Sequence, residues 1–299
     1  MVDDRSSKSL NLVPFGIPTL IIAEDPQLLA AASAAYANWL AERPAGEPVI
    51  ELDLEIGSPS TNGVSLVIAV EGSQLRLKGR GCEGMADAGS GKARATLAVE
   101  IANQPHALAE ILDTLLLFLL ARRGRTPVHA SAFMLGDVAI VLAGQSGSGK
   151  STLALAAAQR GYPVLSDDMV FVQQKPESAL WGFPRPIHVF PEDAPSGDHA
   201  KRTRNSKTKA AIQLERPALR AERALLVVLE RGTELELKRI DAEEAVDALM
   251  ALDAGFDLLK GESKSAIESL ASGGAWRLTL ADDPLTAIDL IAGRFATNS

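Results

Sequence analysis

"GQSGSGKSTLALAAAQRGYPVLSDD", residues 144–168, decides how this chain is read. Gly144, Gly149, Lys150 and Ser151 satisfy G-x-x-x-x-G-K-[ST], a pattern that average residue frequencies produce in about one chain of this size per hundred. The context matches the mechanism. The apolar run "VAIVLA" leads into the loop and the alanine-rich "STLALAAAQR" leaves it, the strand and helix that a phosphate loop needs. Its glycines let backbone N–H groups curl inward as an anion nest, and the helix starting near Lys150 turns its positive end toward the same anion. Gln145, Ser146, Gly147 and Ser148 therefore contribute chiefly their backbones. Lys150 supplies a point charge to the β and γ phosphates, the Ser151 hydroxyl is a Mg²⁺ ligand, and Thr152 contacts phosphate less directly. A glycine-rich turn without a ligand would leave Lys150 directed into an empty nest.

The same stretch closes on Asp167 and Asp168, delivered by the strand "YPVLS" at its carboxyl end, where open α/β sheets bind ligands. One acid near the metal is enough for a phosphate-loop protein, so two suggest two tasks. Adjacent side chains on a strand end face opposite ways, so one can hold Mg²⁺ while the other meets an incoming hydroxyl. A solvated turn, "SDDM", is the plain alternative. His129 is expected on the strand beside the loop strand, where it would orient an aspartate or serve as a packed core histidine.

Working outward, "VHASAFM" and "VAIVLAG" flank Leu135, Gly136 and Asp137 and predict a tight hairpin feeding the loop, an antiparallel neighbour unlike the all-parallel layout of most nucleotide switches. Upstream, "TLIIA", a helix opened by Pro26, and the alternating "VIELDLEI", "VSLVIAV" and "QLRLKGR" predict a small α+β domain. The five glycines of residues 78–93 suggest a flexible loop, and the GSGK at 89–92 has no strand before it and no Ser or Thr after Lys92. A helix from Pro105 to Arg122 is closed by Gly124. We expect an N-terminal α+β domain over 1–104, a candidate for acceptor or partner recognition, and a catalytic domain over 105–299. In the latter, residues 182–209 form a long polar insert, either a functional lid or disordered. Strands at "ALLVVLE", "ELELKRI" and "AWRLTL" and helices near 242–252, 263–271 and from Pro284 complete an α/β fold, α+β overall.

The formal charge of −8 repels nucleic acid and anionic membrane, so phosphate binding must be local. "ILDTLLLFLLA", 111–121, is about half the roughly 20 residues of a membrane span and contains Asp113, which favours a buried core helix. One cysteine, Cys82, allows no internal disulfide and fits a reducing compartment. With no signal-peptide run in "MVDDRSSKSLNLVPF", a cytoplasmic location is expected, with neither nucleic acid nor membrane as partner.

"VHASAF…VLAGQSGSGKSTLALAAAQRGYPVLSDD" resembles the catalytic domain of the HPr serine kinase/phosphorylase family, whose fold is related to phosphoenolpyruvate carboxykinase. The resemblance covers about residues 126–172. It implies ATP and Mg²⁺ as ligands, transfer of the γ-phosphate to a serine-type hydroxyl of a peptide or small protein, and a homo-oligomer. It assigns His129 as assistant to the base, Asp167 as the aspartate that receives the hydroxyl proton and Asp168 as the metal-site acid, with Lys150 and Ser151 in their loop roles. The segment after Asp168 lacks the glycine-rich signature by which HPr kinases engage HPr, and the layout is more similar to lasso-peptide precursor kinases. Arg185 in "FPRPI" is similar to an arginine that follows the aspartates in such kinases and would contact the acceptor or the transferred group; a surface loop arginine is the alternative. "KRTRNSKTK", 201–209, places five cations in nine residues, and Lys207 or Lys209 could close over the γ-phosphate. His188 and His199 read as surface histidines and Trp276 as core. A non-catalytic nucleotide-binding regulatory module and a small-molecule kinase remain as alternatives. The absence of N-K-x-D disfavours a GTPase switch.

Overall fold

The computed structural model describes residues 8–42, 46–59, 65–204, 207–250, 260–281 and 283–295, with the backbone alone at 202–204, 207 and 260–262. The chain divides into two compact units, Met1–Arg123 and Gly124–Ser299.

The first unit contains β1 (Ser9–Leu12), β2 (Thr19–Ala23), α1 (Pro26–Ala35), β3 (Ile50–Ile56), β4 (Val67–Glu71), β5 (Gln74–Gly79), β6 (Cys82–Asp87), β7 (Lys92–Leu97), α2 (Val99–Ala102) and α3 (Pro105–Ala121). Its strands form one sheet in the order β1-β2-β3-β7-β6-β5-β4. Period-two patterning makes this sheet one-sided. Ile50, Leu52 and Leu54 point inward on β3, as do Ala93, Ala95 and Leu97 on β7, while Asp53, Glu55, Lys92 and Arg94 point out. The register sets Glu51 opposite Lys92 and Asp53 opposite Arg94, and the Glu51–Lys92 pair closes at 3.3 Å. Exposed pairs of this kind contribute at most about 1 kcal/mol, so burial of the inner face stabilises the sheet more than its surface charges do.

Helix α3 supplies much of that burial. Leu108, Ile111, Leu112, Leu115, Leu116 and Leu119 recur at helical spacing and are all buried. It packs beside α1 and α2 and over β6 and β7, so it belongs to the first unit. The expected boundary at 104/105 therefore moves to Arg123/Gly124: an apolar face of this width needs the sheet that precedes it. Asp113, the one acid within the apolar window, accepts a 2.7 Å hydrogen bond from the buried Tyr36 hydroxyl. No helix among the described residues is long and apolar enough to cross a membrane.

The glycine-rich 78–93 segment is also not a loop. It holds β6 and the start of β7, and its glycines mark the turns on either side: Gly81 and Gly91 have φ of +70° and +73°. The Asp87 carboxylate accepts from the backbone N–H of Gly89 at 3.0 Å and organises the second turn, so the GSGK at 89–92 is a hairpin connection.

The second unit contains β8 (Thr126–Val128), β9 (Ala130–Leu135), β10 (Val138–Ala143), α4 (Lys150–Gln159), β11 (Val164–Ser166), β12 (Val170–Gln173), β13 (Ala179–Gly182), β14 (Ile187–Val189), β15 (Ala200–Arg204), β16 (Lys207–Ile212), β17 (Arg220–Ala221), β18 (Arg223–Arg231), β19 (Glu236–Ile240), α5 (Ala242–Met250), α6 (Lys260–Ser272), β20 (Ala275–Leu280) and α7 (Pro284–Phe295). A mixed sheet, β11-β9-β10-β18-β20-β19, forms its centre, with β10, β18 and β20 mutually parallel. The predicted hairpin is there: Leu135 pairs with Val138 across Gly136 and Asp137. Both faces are covered. Ala139, Val141, Leu226 and Val228 pack with Val246 of α5 and Ile267 of α6, while Ile140, Leu142, Val227 and Leu229 pack with Leu153 of α4 and Ile288 of α7. That double burial explains why "VAIVLA" is apolar at every position rather than alternating.

The polar insert is folded. Residues 187–189, 200–204 and 207–212 form a three-stranded antiparallel sheet in the order β14-β16-β15, anchored by buried Ile187, Val189 and Ala210. Strands this short, separated by prolines and charges, leave little periodicity to read. A further sheet, β17-β13-β12-β8, lies beside β11.

Candidate functional site

The phosphate loop connects β10 to α4 at the carboxyl end of the parallel strands. Its backbone requires its glycines. Gly147 and Gly149 take φ of +85° and +107°, left-handed values that side chains disfavour, and Gly149 is the N-cap of α4. At Gly144 an added Cβ would stand 2.9 Å from the Leu229 carbonyl oxygen and 2.8 Å from Ser148 Oγ.

Lys150 is buried, and its Nζ donates to the carbonyls of Gly144 at 2.7 Å and Gln145 at 3.1 Å. Burial pushes its pKa down, Asp168 and Asp167 push it back up, and Lys209 opposes them. These four charges therefore share one site. Ser151 and Thr152 sit half-buried in the first turn of α4.

The two aspartates occupy different environments. Asp167 is 5% exposed; its Oδ2 accepts from the His188 backbone N–H at 3.0 Å, and the Ser151 hydroxyl is near enough to favour its charged form. Burial raises its pKa, the His188 N–H and Ser151 hydroxyl counter that, Asp168 adds to the rise and Lys209 opposes it. Its main-chain oxygen accepts from the Ser131 hydroxyl. Asp168 projects outward, its side chain 76% exposed, with Oδ1 3.6 Å from His129 Nδ1. So the acid beside the loop serine is Asp167, and the acid beside the histidine is Asp168. The resemblance implies the opposite order. Both aspartates follow β11 in a bend, where Asp167 stays buried like Ser166 before it and the chain turns Asp168 out to solvent.

His129 falls in the single-residue break between β8 and β9, rather than inside a strand. There the chain leaves the sheet containing β12 for the one containing β10, which brings His129 to the same end as the loop. Lys209 on β16 is at the site: its Nζ donates to the His188 carbonyl at 3.3 Å and lies 5.3 Å from the Phe190 ring centroid. Lys207 opens β16, and its side chain lies outside the described residues. Arg185, between β13 and β14, stacks on Phe183 at 4.4 Å and is half-buried. Trp276 packs against Phe295 at 5.2 Å, as a core residue does. His188 reads from the sequence as a surface histidine. Its backbone amide nonetheless holds Asp167, a contribution that no side-chain pattern signals.

Two buried oxygens have no protein hydrogen-bond partner here: Asp167 Oδ1 and Ser148 Oγ. Unsatisfied buried acceptors are rare and call for a partner. The unpartnered Asp167 carboxylate oxygen and the nearby Ser151 hydroxyl are hard oxygen donors of the kind that suit Mg²⁺, an ion that takes one or two carboxylates and completes its shell with water and phosphate. Among the described residues there is no cluster of three or more His, Cys, Asp or Glu side chains that could hold a metal without such a substrate.

No protein-family model matches the chain. Over 63 residues, 21% of its length, it is 40% identical to the HPr kinase/phosphorylase of Streptococcus thermophilus. Over the same length it is 38% identical to those of Streptococcus pyogenes serotype M5 and Streptococcus uberis. The chain spans about a fifth of the length of these curated relatives (20%). The solved Hpr(Ser) kinase/phosphatase from Coxiella burnetii superposes on 58% of this chain and 97% of its own, with a TM-score of 0.31 and 11% identity, too loose to define a shared fold. Over the matched 63 residues, the chain is similar to HPr kinase/phosphorylases.

Proposed function

We propose that the protein is an ATP- and Mg²⁺-dependent phosphotransferase that moves the γ-phosphate to a serine-type hydroxyl of a peptide or small protein. The observation that carries this reading is the division of labour at the end of β11: one aspartate turned to the loop serine, the next turned to solvent beside a histidine. Phosphoryl transfer requires mainly positioning and charge stabilisation, and these groups supply both.

In this reading Ser151 and Asp167 hold Mg²⁺, which when bound neutralises charge on the phosphate oxygens. The loop amides fix the phosphate chain. Lys150 leaves the carbonyls of Gly144 and Gln145 to meet the β and γ phosphates. Asp168 accepts the proton of the acceptor hydroxyl as its oxygen bonds to the γ-phosphorus and the bond to the bridging oxygen of ADP breaks. His129 orients Asp168. Lys209 is placed to add positive charge on the acceptor side, and Arg185 is a candidate contact for the acceptor. The similarity to kinase/phosphorylases that act on a small protein supports the acceptor class.

Incubation with a serine-peptide library, Mg²⁺ and γ-labelled ATP should transfer label to peptide. Lys150→Ala should abolish that transfer. Tight ATP binding with no transfer to any hydroxyl would replace this reading with a regulatory module, and labelling of metabolites but no peptide would make it a small-molecule kinase.

A further inference from the structure

Strand β18 runs parallel to β10 and ends on Arg231, at the same edge of the sheet as the phosphate loop. Leu229 abuts Gly144, so the chain passes the loop as it leaves the sheet. The Arg231 guanidinium reaches the loop's last glycine. A Cβ built on Gly149 would stand 3.4 Å from Arg231 Nη2 and 3.8 Å from Cζ, with Leu280 Cδ1 at 3.1 Å. Other cations nearby have acids: Arg277 pairs with Glu230 and Glu244, and Arg223, at the far end of the same strand, pairs with Asp137. Arg231 is exposed, and no ion pair joins it to a carboxylate among the described residues.

A guanidinium beside Gly149, the N-cap of α4, meets the positive end of that helix, an unfavourable juxtaposition of like charge. An anion between them reverses its sign. A guanidinium also presents a planar fork of donors that matches phosphate oxygens in pairs.

We infer that Arg231 is a second side-chain cation for the phosphate chain of the nucleotide, approaching the loop from the flank opposite the aspartates. The strand order sets the flank. Asp167 follows β11 on one side of β10, and Arg231 ends β18 on the other. Arg231 therefore holds the phosphates that remain with the departing diphosphate, and Lys150, Asp167, Asp168 and Lys209 surround the group that is transferred. A side chain at Gly149 would fill the gap through which the guanidinium reaches the loop. This assignment rests on the nucleotide reading above.

Calorimetric titration of the full chain with Mg-ADP and, separately, with pyrophosphate tests it. Arg231→Ala and Arg231→Gln should each weaken both ligands by about tenfold or more, with the melting temperature of the ligand-free protein unchanged. Arg231→Lys should recover part of the loss, and Arg223→Ala should match the wild type. Weakened ADP with unaltered pyrophosphate would overturn the assignment and place Arg231 on the base or sugar. Wild-type affinity in both Arg231 variants, with binding lost in Lys150→Ala, would overturn this role alone. No ADP binding by the wild type would remove the nucleotide reading and this role together.

Discussion

Asp167 and Asp168 are adjacent in the chain, yet one is buried against Ser151 and the other stands in solvent beside His129. Replacing either carboxylate by an amide keeps its shape and removes its charge, and the consequences should separate. Asp167→Asn loses an anion from the proposed metal position. It should raise the Mg²⁺ concentration for half-maximal turnover by about tenfold or more, with a smaller change at saturating Mg²⁺. Asp168→Asn loses a proton acceptor. It should lower kcat by about 10²- to 10⁴-fold at every Mg²⁺ concentration, with nucleotide affinity retained. Steady-state kinetics across a Mg²⁺ titration reads both effects. The reverse pattern, with metal dependence at Asp168 and a uniform kcat loss at Asp167, would return the roles to the order implied by family resemblance.

Strand β11 is the element that sets this arrangement, and its position depends on β13. Gly182, the last residue of β13, packs against Leu165 so closely that a Cβ there would lie 2.8 Å from both the carbonyl carbon and the Cβ of Leu165. Gly182→Ala must displace β11 or bend β13. Overpacking of this kind costs about 1–3 kcal/mol. We expect a lower midpoint in urea and, because β11 leads directly into both aspartates, a loss of transfer at temperatures where the variant is still folded. Gly161→Ala, at a helix end with open space around it, should lower stability less, by about 1 kcal/mol, and spare the activity of the folded protein. The contrast between these glycines also shows what the sequence could convey. The phosphate loop, the Gly136-Asp137 hairpin and the core helix at 105–121 were legible because each is specified within a few turns of chain by period and punctuation. Strand β6 was hidden because the glycines bracketing it at 81 and 91 resemble a flexible run. The three-stranded sheet of the insert was hidden because its partners pair across prolines and charges. Neither the His188 amide beneath Asp167 nor the reach of Arg231 to Gly149 leaves a local signal, since both depend on which strands become neighbours.

At the scale of the molecule, all the proposed nucleotide and metal groups, from His129 to Arg231, lie in the unit Gly124–Ser299. The first unit is left as the candidate for acceptor recognition. The boundary between the units determines whether that division can be tested. A fragment beginning at residue 105 would carry α3 without its sheet and expose Leu108, Ile111, Leu112 and Leu115, all of which are buried in the full chain. A contiguous apolar face of that kind drives association, so 105–299 should aggregate on expression. A fragment of residues 124–299 omits the helix and keeps both covered faces of the central sheet. It should be monodisperse by size-exclusion chromatography and bind Mg-ADP within about threefold of the full chain, because groups in separate cores couple weakly. If the first unit recognises the acceptor, the same fragment will hydrolyse ATP slowly while its KM for peptide rises well above that of the full chain. Unchanged peptide KM in 124–299 would place acceptor recognition within the second unit, and the folded insert that carries Lys209 would then be the element to test.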